Sequence, residues 1–314
     1  MSLSLQNTSF SILNHRHVVS SPSTNSELIE ALQAAEVDIN DKQLLTAETQ
    51  TAGRGQHTRS WQSPPGNVYL SLYHPIDSTI SGLLSLIIGL ELAKMPVIES
   101  LNEQLKAQGK TTIGVKWAND LGFYPQQPQD ANLNLTNSKV IAFNKLAGIL
   151  IEPLWIDGKL KGVVIGVGLN VATTPKLTEQ TLEGMSYQAI SLQDIYEAIT
   201  RDKQHNKLEH LPNLNVIYEQ ISQALLEAVK VFKSITAKKS NSQTNVTQHF
   251  YEQFKQQDAL KGLRVRVVQN HNTEERIIEG RARGIDTNGC LQLQQDNGNI
   301  SAIFTGRIDV IDET

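Results

Sequence analysis

Two β-forming runs, "KLAGILIEPLWI" and "KLKGVVIGVGLNV", flank Asp157-Gly158, and no other stretch restricts the fold of this chain as tightly. Asp-Gly is a pair that tight two-residue hairpins favour, because both central residues there need positive φ. The runs therefore read as adjacent antiparallel strands. Glycines interrupt both of them, Gly148 in the first and Gly166 and Gly168 in the second. Mid-strand glycine usually marks a bulge or a close approach of another group to the backbone. The hairpin thus predicts a sheet with something pressed against its glycine-marked end.

The flanking sequence supplies the rest of that sheet. "LLTAET" reads as a strand feeding the loop Ala52–Trp61, and "NVYLSLYHP" alternates with Val68, Leu70 and Leu72 on one face, a half-buried strand. "GVKWAND" is a short strand ending in polar residues. In "SPSTNSELIEALQAAEV", Thr24 and Glu27 form a capping-box pattern ahead of the stripe Leu28, Ala31, Leu32, Ala35. Helical period resumes near Gly82, with Pro96 expected to kink or break it. Leu214, Ile217, Ile221, Leu225, Ala228 and Phe232 mark a long amphipathic helix. The segment around Gln126–Asn137 is rich in Pro, Gln and Asn without period and reads as a surface insertion; "TRDKQHNKLEHLPN" reads as another exposed loop. Beyond Gln257, "LRVRVV", "RIIEGRARGI", "CLQLQQ" and "NISAIFTGRIDVI" are short strands split by Asn-Gly and similar turns, the pattern of a small antiparallel barrel. The expected division is a domain 1–260 and a domain 261–314. No repeat is visible.

The loop "AGRGQHTRSW" is too basic and too glycine-rich for an ordinary connector. It is not a dinucleotide fingerprint, since Thr58 stands where the third glycine belongs; Gly166 and Gly168 fail likewise at Val171. "GKTT" at Gly109 is not a Walker A motif, because Gln104 replaces its first glycine. What remains is a set of exposed backbone N–H groups with fixed guanidinium charge, a cradle for phosphate or carboxylate. Lys145 opens the first hairpin strand, soon after the polar end of "KWAND". Lysine, aspartate and two arginines near one glycine-walled cleft suit activation of a carboxylate by ATP.

With a formal net charge of -4 over 314 residues, the chain has no general attraction for nucleic acid or anionic membrane, so anion binding must be local. The lone Cys290 excludes an internal disulfide and any CxxC site. "GLLSLIIGLELAKMPV" is broken by Glu91, Lys94 and Pro96 before reaching spanning length, and the first residues do not read as a signal peptide. A cytoplasmic setting is expected.

Together "STN" at Ser23–Asn25, "AGRG" through "RSW" to "SPPGNVYLSL", "KWAND", "KLAGILIE" and "GVGLNV" resemble the biotin protein ligases, in that family's order over about two thirds of the chain. The resemblance implies an α+β fold: a mixed sheet with flanking helices like the class II aminoacyl-tRNA synthetase core, plus an SH3-like C-terminal domain lying against the nucleotide side of the cleft. It implies that biotin and ATP form biotinyl-5′-AMP and pyrophosphate, and that biotin then passes to a lysine of a biotin carboxyl carrier protein.

The family's site residues carry over by position. Ser23, Thr24, Asn25 and Gln50 would meet the ureido end of biotin. The backbone at Gly53 and Arg54 would meet its carboxylate, and Gly148 and Gly166 would let the strands press on its ring and tail. Lys145 would be the principal catalytic cation, with Arg54, Arg59 and Lys116 offsetting the repulsion between carboxylate and phosphate. Asp120 would hold Mg²⁺ on the phosphates. Gln56, Trp61, Asn119 and Asn170 would complete the ATP site, Trp61 packing near the nucleotide as the loop orders. His57 reads as solvated. The family also leaves room for a homodimer.

Departures from its pattern are Gln56 for an arginine, Thr58 for a glycine, Ala118 for a proline and Arg307 for an acidic residue. Gln56 predicts a looser hold on the adenylate. Lipoate ligases and octanoyl transferases of the same fold are the nearest rival reading. A repressor reading is not expected, because 22 residues precede Ser23, too few for a three-helix DNA reader.

Overall fold

The computed structural model describes residues 13–56, 59–125, 140–176, 186–201, 210–237, 241–271 and 274–312. His57, the Gln126–Asn137 segment and most of the second expected loop lie outside them.

The main sheet has eight strands. These are β1 (Asn14–Ser21), β2 (Gln43–Gln50), β3 (Val68–Pro75), β4 (Gly114–Lys116), β5 (Asp120–Phe123), β7 (Phe143–Ile156), β8 (Lys159–Leu169) and β9 (Tyr187–Ala189), with β6 (Val140–Ile141) belonging elsewhere. The order is β1-β2-β3-β8-β7-β5-β4, with β9 alongside β7. β1 runs parallel to β2 and β9 to β7, while the remaining neighbours are antiparallel, so the sheet is mixed. β7 and β8 form the expected hairpin, and its turn takes positive φ at both Asp157 (50°) and Gly158 (71°).

Six helices are described: α1 (Thr24–Gln33), α2 (Leu83–Ala93), α3 (Pro96–Ala107), α4 (Leu192–Thr200), α5 (Leu214–Thr236) and α6 (Asn241–Gln257). α1 packs on β2, β3, β7 and β8, while α2 meets β4, β5 and β7 and α5 meets β3. β3 is therefore covered on both faces rather than half-buried: Val68 to Tyr73 are all buried. Tyr69 and Tyr73 escape the polar-out expectation because each ring is buried while its hydroxyl finds a carbonyl, Pro64 O and Ile39 O. The expected break at Pro96 is there: α2 ends at Ala93, and Pro96 starts α3 at the first-turn position where its missing N–H costs nothing. The cap of α1 is Ser23, which accepts from the Ser26 N–H, and not Thr24. Glu27 turns away from any capping box to meet Arg16 and Ser21.

The C-terminal strands β10 (Arg264–His271), β11 (Glu274–Ile285), β12 (Leu291–Gln294), β13 (Ile300–Ile303) and β14 (Arg307–Ile311) form a second, antiparallel sheet. Its sixth strand is β6, which pairs Ile141 with Val310 and Val140 with Ile311. Trp117 Nε1 donates to Gly289 O at 2.9 Å, and Ala259 N to Val115 O at 2.9 Å. Val265, Val267, Leu291 and Leu293 join one continuous core with Leu84, Val115 and Phe143. Apolar burial thus runs across the expected boundary at Leu260 and fixes the small sheet against the large one.

Candidate active site

One cleft of about 930 Å³ opens over the glycine-marked part of β7 and β8, walled on one side by the glycine loop and on the other by Val268, Gln269 and Phe304–Ile308. Of the expected site residues, only Gly53 and Asn170 do not line it directly.

One end is built at the start of α1. Ser23, Thr24 and Asn25 are buried there. The Gln50 amide is fixed from three sides: its Oε1 accepts from Thr24 N (2.9 Å) and Thr24 Oγ1 (3.2 Å), and its Nε2 donates to Ser63 Oγ (2.9 Å). Ser71 Oγ donates to Asn25 Oδ1 at 2.5 Å, which orients that amide so that Nδ2 donates to Glu152 Oε2 at 2.8 Å. Gly166 is needed because a Cβ there would come within 2.9 Å of Asn25 Cγ. The close approach at this glycine is therefore that of α1 itself.

The glycine loop is a small hairpin. Trp61 N donates to Gly53 O and Gly55 N to Arg59 O, both at 2.7 Å. Gly53 has no room for a side chain, since a Cβ would sit 2.9 Å from Gln50 Nε2 and from Ser63 Oγ. The Trp61 indole lies on β7 and β8, where Cβ atoms at Gly148 and Gly168 would come 3.0 and 2.5 Å from its ring. The Arg54 guanidinium pairs with Glu152 at 2.8 Å.

The other end concentrates charge. Lys145 Nζ is 2.9 Å from Asp120 Oδ1 and lies 5.3 Å from the Trp61 ring and 5.1 Å from the Tyr187 ring. Lys116 is buried, 4.9 Å from the Phe143 ring centre. Burial pushes its pKa down to about 8, with Lys145 and Arg59 adding to the fall and Asp120 and Asp309 opposing it. Asn119 Nδ2 donates to Ile149 O at 2.9 Å and so ties β7 to the turn before β5. Asn170 Nδ2 donates to Ile190 O at 3.1 Å, but its Oδ1 is buried without a partner, as is Trp61 Nε1. Both residues wall a side cavity of about 20 Å³ shared with Lys145 and Tyr187. Among the described residues no cluster of three or more His, Cys, Asp or Glu side chains could hold a metal alone. A single carboxylate at an anion site fits an ion that takes one protein oxygen and completes its shell with phosphate oxygens and water.

The model of the biotin/lipoate A/B protein ligase family matches residues 17–170, and that of the biotin protein ligase C-terminal domain matches residues 264–310. The chain belongs to the biotin protein ligase family. The bifunctional ligase/repressor BirA of Salmonella typhimurium is 28% identical over 291 residues, 92% of this chain and 71% of that one. The biotin–[acetyl-CoA-carboxylase] ligase of Mycobacterium tuberculosis is 34% identical over 163 residues, 51% of this chain and 50% of that one. In fold, the chain is similar to the biotin protein ligase from Aquifex aeolicus in complex with biotin and ATP: TM-score 0.58 and 21% identity, over 94% of this chain and 97% of that one. The expected mixed sheet with flanking helices and an added C-terminal sheet is thus the family's architecture. No described helix is long and apolar enough to cross a membrane.

Tyr187, Glu152 and Ser71 are site neighbours that sequence reasoning passed over. Glu152 and Ser71 lie inside quoted strands and carry no spacing signal of their own. Tyr187 sits on a three-residue strand too short to show a period.

Proposed function

We propose that this chain is an ATP-dependent biotin–[acetyl-CoA-carboxylase] ligase. One observation carries the reading: a single cleft joins a neutral, amide-lined end at α1 to a buried cluster of Lys116, Lys145 and Asp120. A uniform anion site would not need the first end, and a plain apolar pocket would not carry the second.

Biotin places its ring toward Ser23, Thr24, Asn25 and Gln50, whose amide is already aligned by Thr24 and Ser63. The loop backbone at Gly53 and Arg54 receives the carboxylate. ATP lies toward Lys145, with the adenine near Trp61, beside which Asn170 Oδ1 is buried without a partner. A biotin carboxylate oxygen bonds to the α-phosphorus, the bond to the bridging oxygen of the β-phosphate breaks, and pyrophosphate leaves. Lys145, Lys116 and Arg59 offset the charge that this step brings together. Asp120 would hold Mg²⁺, which supplies further neutralisation of the phosphates. Gln56 would offer this site hydrogen bonds without charge. In the second step the amine of a carrier lysine attacks the acyl carbonyl, AMP departs and the amine loses its proton.

The partner is a biotin carboxyl carrier protein, reaching the cleft past Phe304, which is 75% exposed at its mouth. A homodimer belongs to the same proposal: among the described residues β1 is an edge strand, mostly exposed, that would offer main-chain groups to a second copy. The test is incubation with biotin, Mg-ATP and a carrier domain. One biotinyl unit on one lysine, with AMP and pyrophosphate in equal amounts, is expected. Modification by lipoate or octanoate but not biotin would support the rival reading instead.

A further inference from the structure

Glu152, on β7, has no part in the chemistry above, yet one of its oxygens joins two pieces of the site. Oε2 accepts from Asn25 Nδ2 and from Arg54 Nη2, each at 2.8 Å. Asn25 is held in turn by Ser71 and by the close packing that Gly166 permits. A chain of contacts therefore runs from β3 through the first turn of α1 and β7 to the glycine loop. The start of α1 also presents the positive end of a helix, which favours a carboxylate there.

We propose that Glu152 is a positioning residue that latches the glycine loop through Arg54 and couples that latch to Asn25. This rests on the functional reading above and refines it. With its guanidinium neutralised by Glu152, Arg54 serves to hold the loop, and the incoming carboxylate meets the loop's N–H groups rather than that side chain. Filling the end beside Asn25 and closing the loop then become one event. The pair is partly exposed, 40% for Arg54 and 26% for Glu152, so solvent screening limits its strength.

The experiment compares Glu152→Gln, Arg54→Gln and the double variant by trypsin cleavage after Arg59 and by biotin-dependent ATP–pyrophosphate exchange. Glu152→Gln should speed cleavage by between about three- and tenfold and raise biotin KM by a similar factor, with kcat changed less. Arg54→Gln should do the same, and the double variant should be no worse than either single one, because each breaks the same latch. Arg54→Lys, which keeps the charge, should recover part of the loss. Additive effects, or wild-type cleavage in Glu152→Gln, would overturn the latch. Wild-type protein with no biotin-dependent exchange would instead overturn the functional reading, while the cleavage arm still judges the latch.

Discussion

Replacing Gly168 by alanine adds one methyl group and should separate the loop from the fold. A Cβ at residue 168 would lie 2.5 Å from Trp61 Cε2 and 2.6 Å from Trp61 Nε1, where ordinary contact begins at 3.4 Å. Its nearest conflicts are all with that one indole, and its backbone φ is not positive, so the strand itself accepts alanine. Either the sheet strains or Trp61 leaves. Trp61 belongs to a partly exposed loop, whereas β8 lies between β3 and β7 in the core, so the indole is the part that yields. Overpacking of this kind costs about 1–3 kcal/mol. If the loop bears it, the ATP KM should rise by about 5- to 150-fold. The melting temperature should barely move. In a Trp61→Ala background the same Gly168→Ala change should cost nothing further, because nothing remains for the methyl group to strike. A wild-type KM in Gly168→Ala, or a large fall in melting temperature with KM intact, would refute the argument.

Three further outcomes follow from the charged end and the domain junction. Lys145→Ala removes the cation paired to Asp120 and should slow adenylate formation by roughly two to three decades, read by single-turnover formation of labelled biotinyl-AMP. With its pKa pushed down to about 8, Lys116 is charged below that pH and loses its cation above it, so kcat/KM for ATP should fall as pH rises through about 8. Lys116→Arg should move that limb upward, since a guanidinium stays charged; a limb unmoved by the change would assign it elsewhere. The same shift carries a stability sign: burying the charged amine is a cost below pH 8 that lifts as pH rises toward the ordinary lysine value of 10.5. A chain cut after Leu260 loses the partners of Ile141 and Trp117 and uncovers the part of the core that Val265, Val267, Leu291 and Leu293 complete, so it should aggregate rather than persist as an independent catalytic domain, a point that size-exclusion chromatography decides.

Much of the fold was legible because local signals and tertiary demands agree. The Asp157-Gly158 turn, the stripe of α5 and the turn-divided C-terminal strands all stand where pattern and turn chemistry placed them. β3 misled because its alternation of Leu with Ser and Tyr reads as one wet face. A tyrosine ring can be buried with only its hydroxyl answered, and α1 and α5 cover both sides. β1, "NHRHVVSS", was invisible as a strand because its outer edge faces solvent and carries little apolar pattern. The helices α4 and α6 were also not foreseen, one short and the other largely polar. In the site, residue types were legible and their partners were not. Nothing in the sequence ties Arg54 to Glu152, 98 positions apart, or Trp61 to Gly168. Those contacts arise only when the hairpin strands and the loop meet in three dimensions.

A cleft that activates biotin must reverse that step when pyrophosphate is supplied. Pyrophosphate exchange into ATP, run in parallel with biotin, lipoate and octanoate at equal concentrations, tests it most directly. Exchange should depend on biotin and on Mg²⁺ and stay at background with the other two acids. Exchange supported by lipoate or octanoate alone would contradict it.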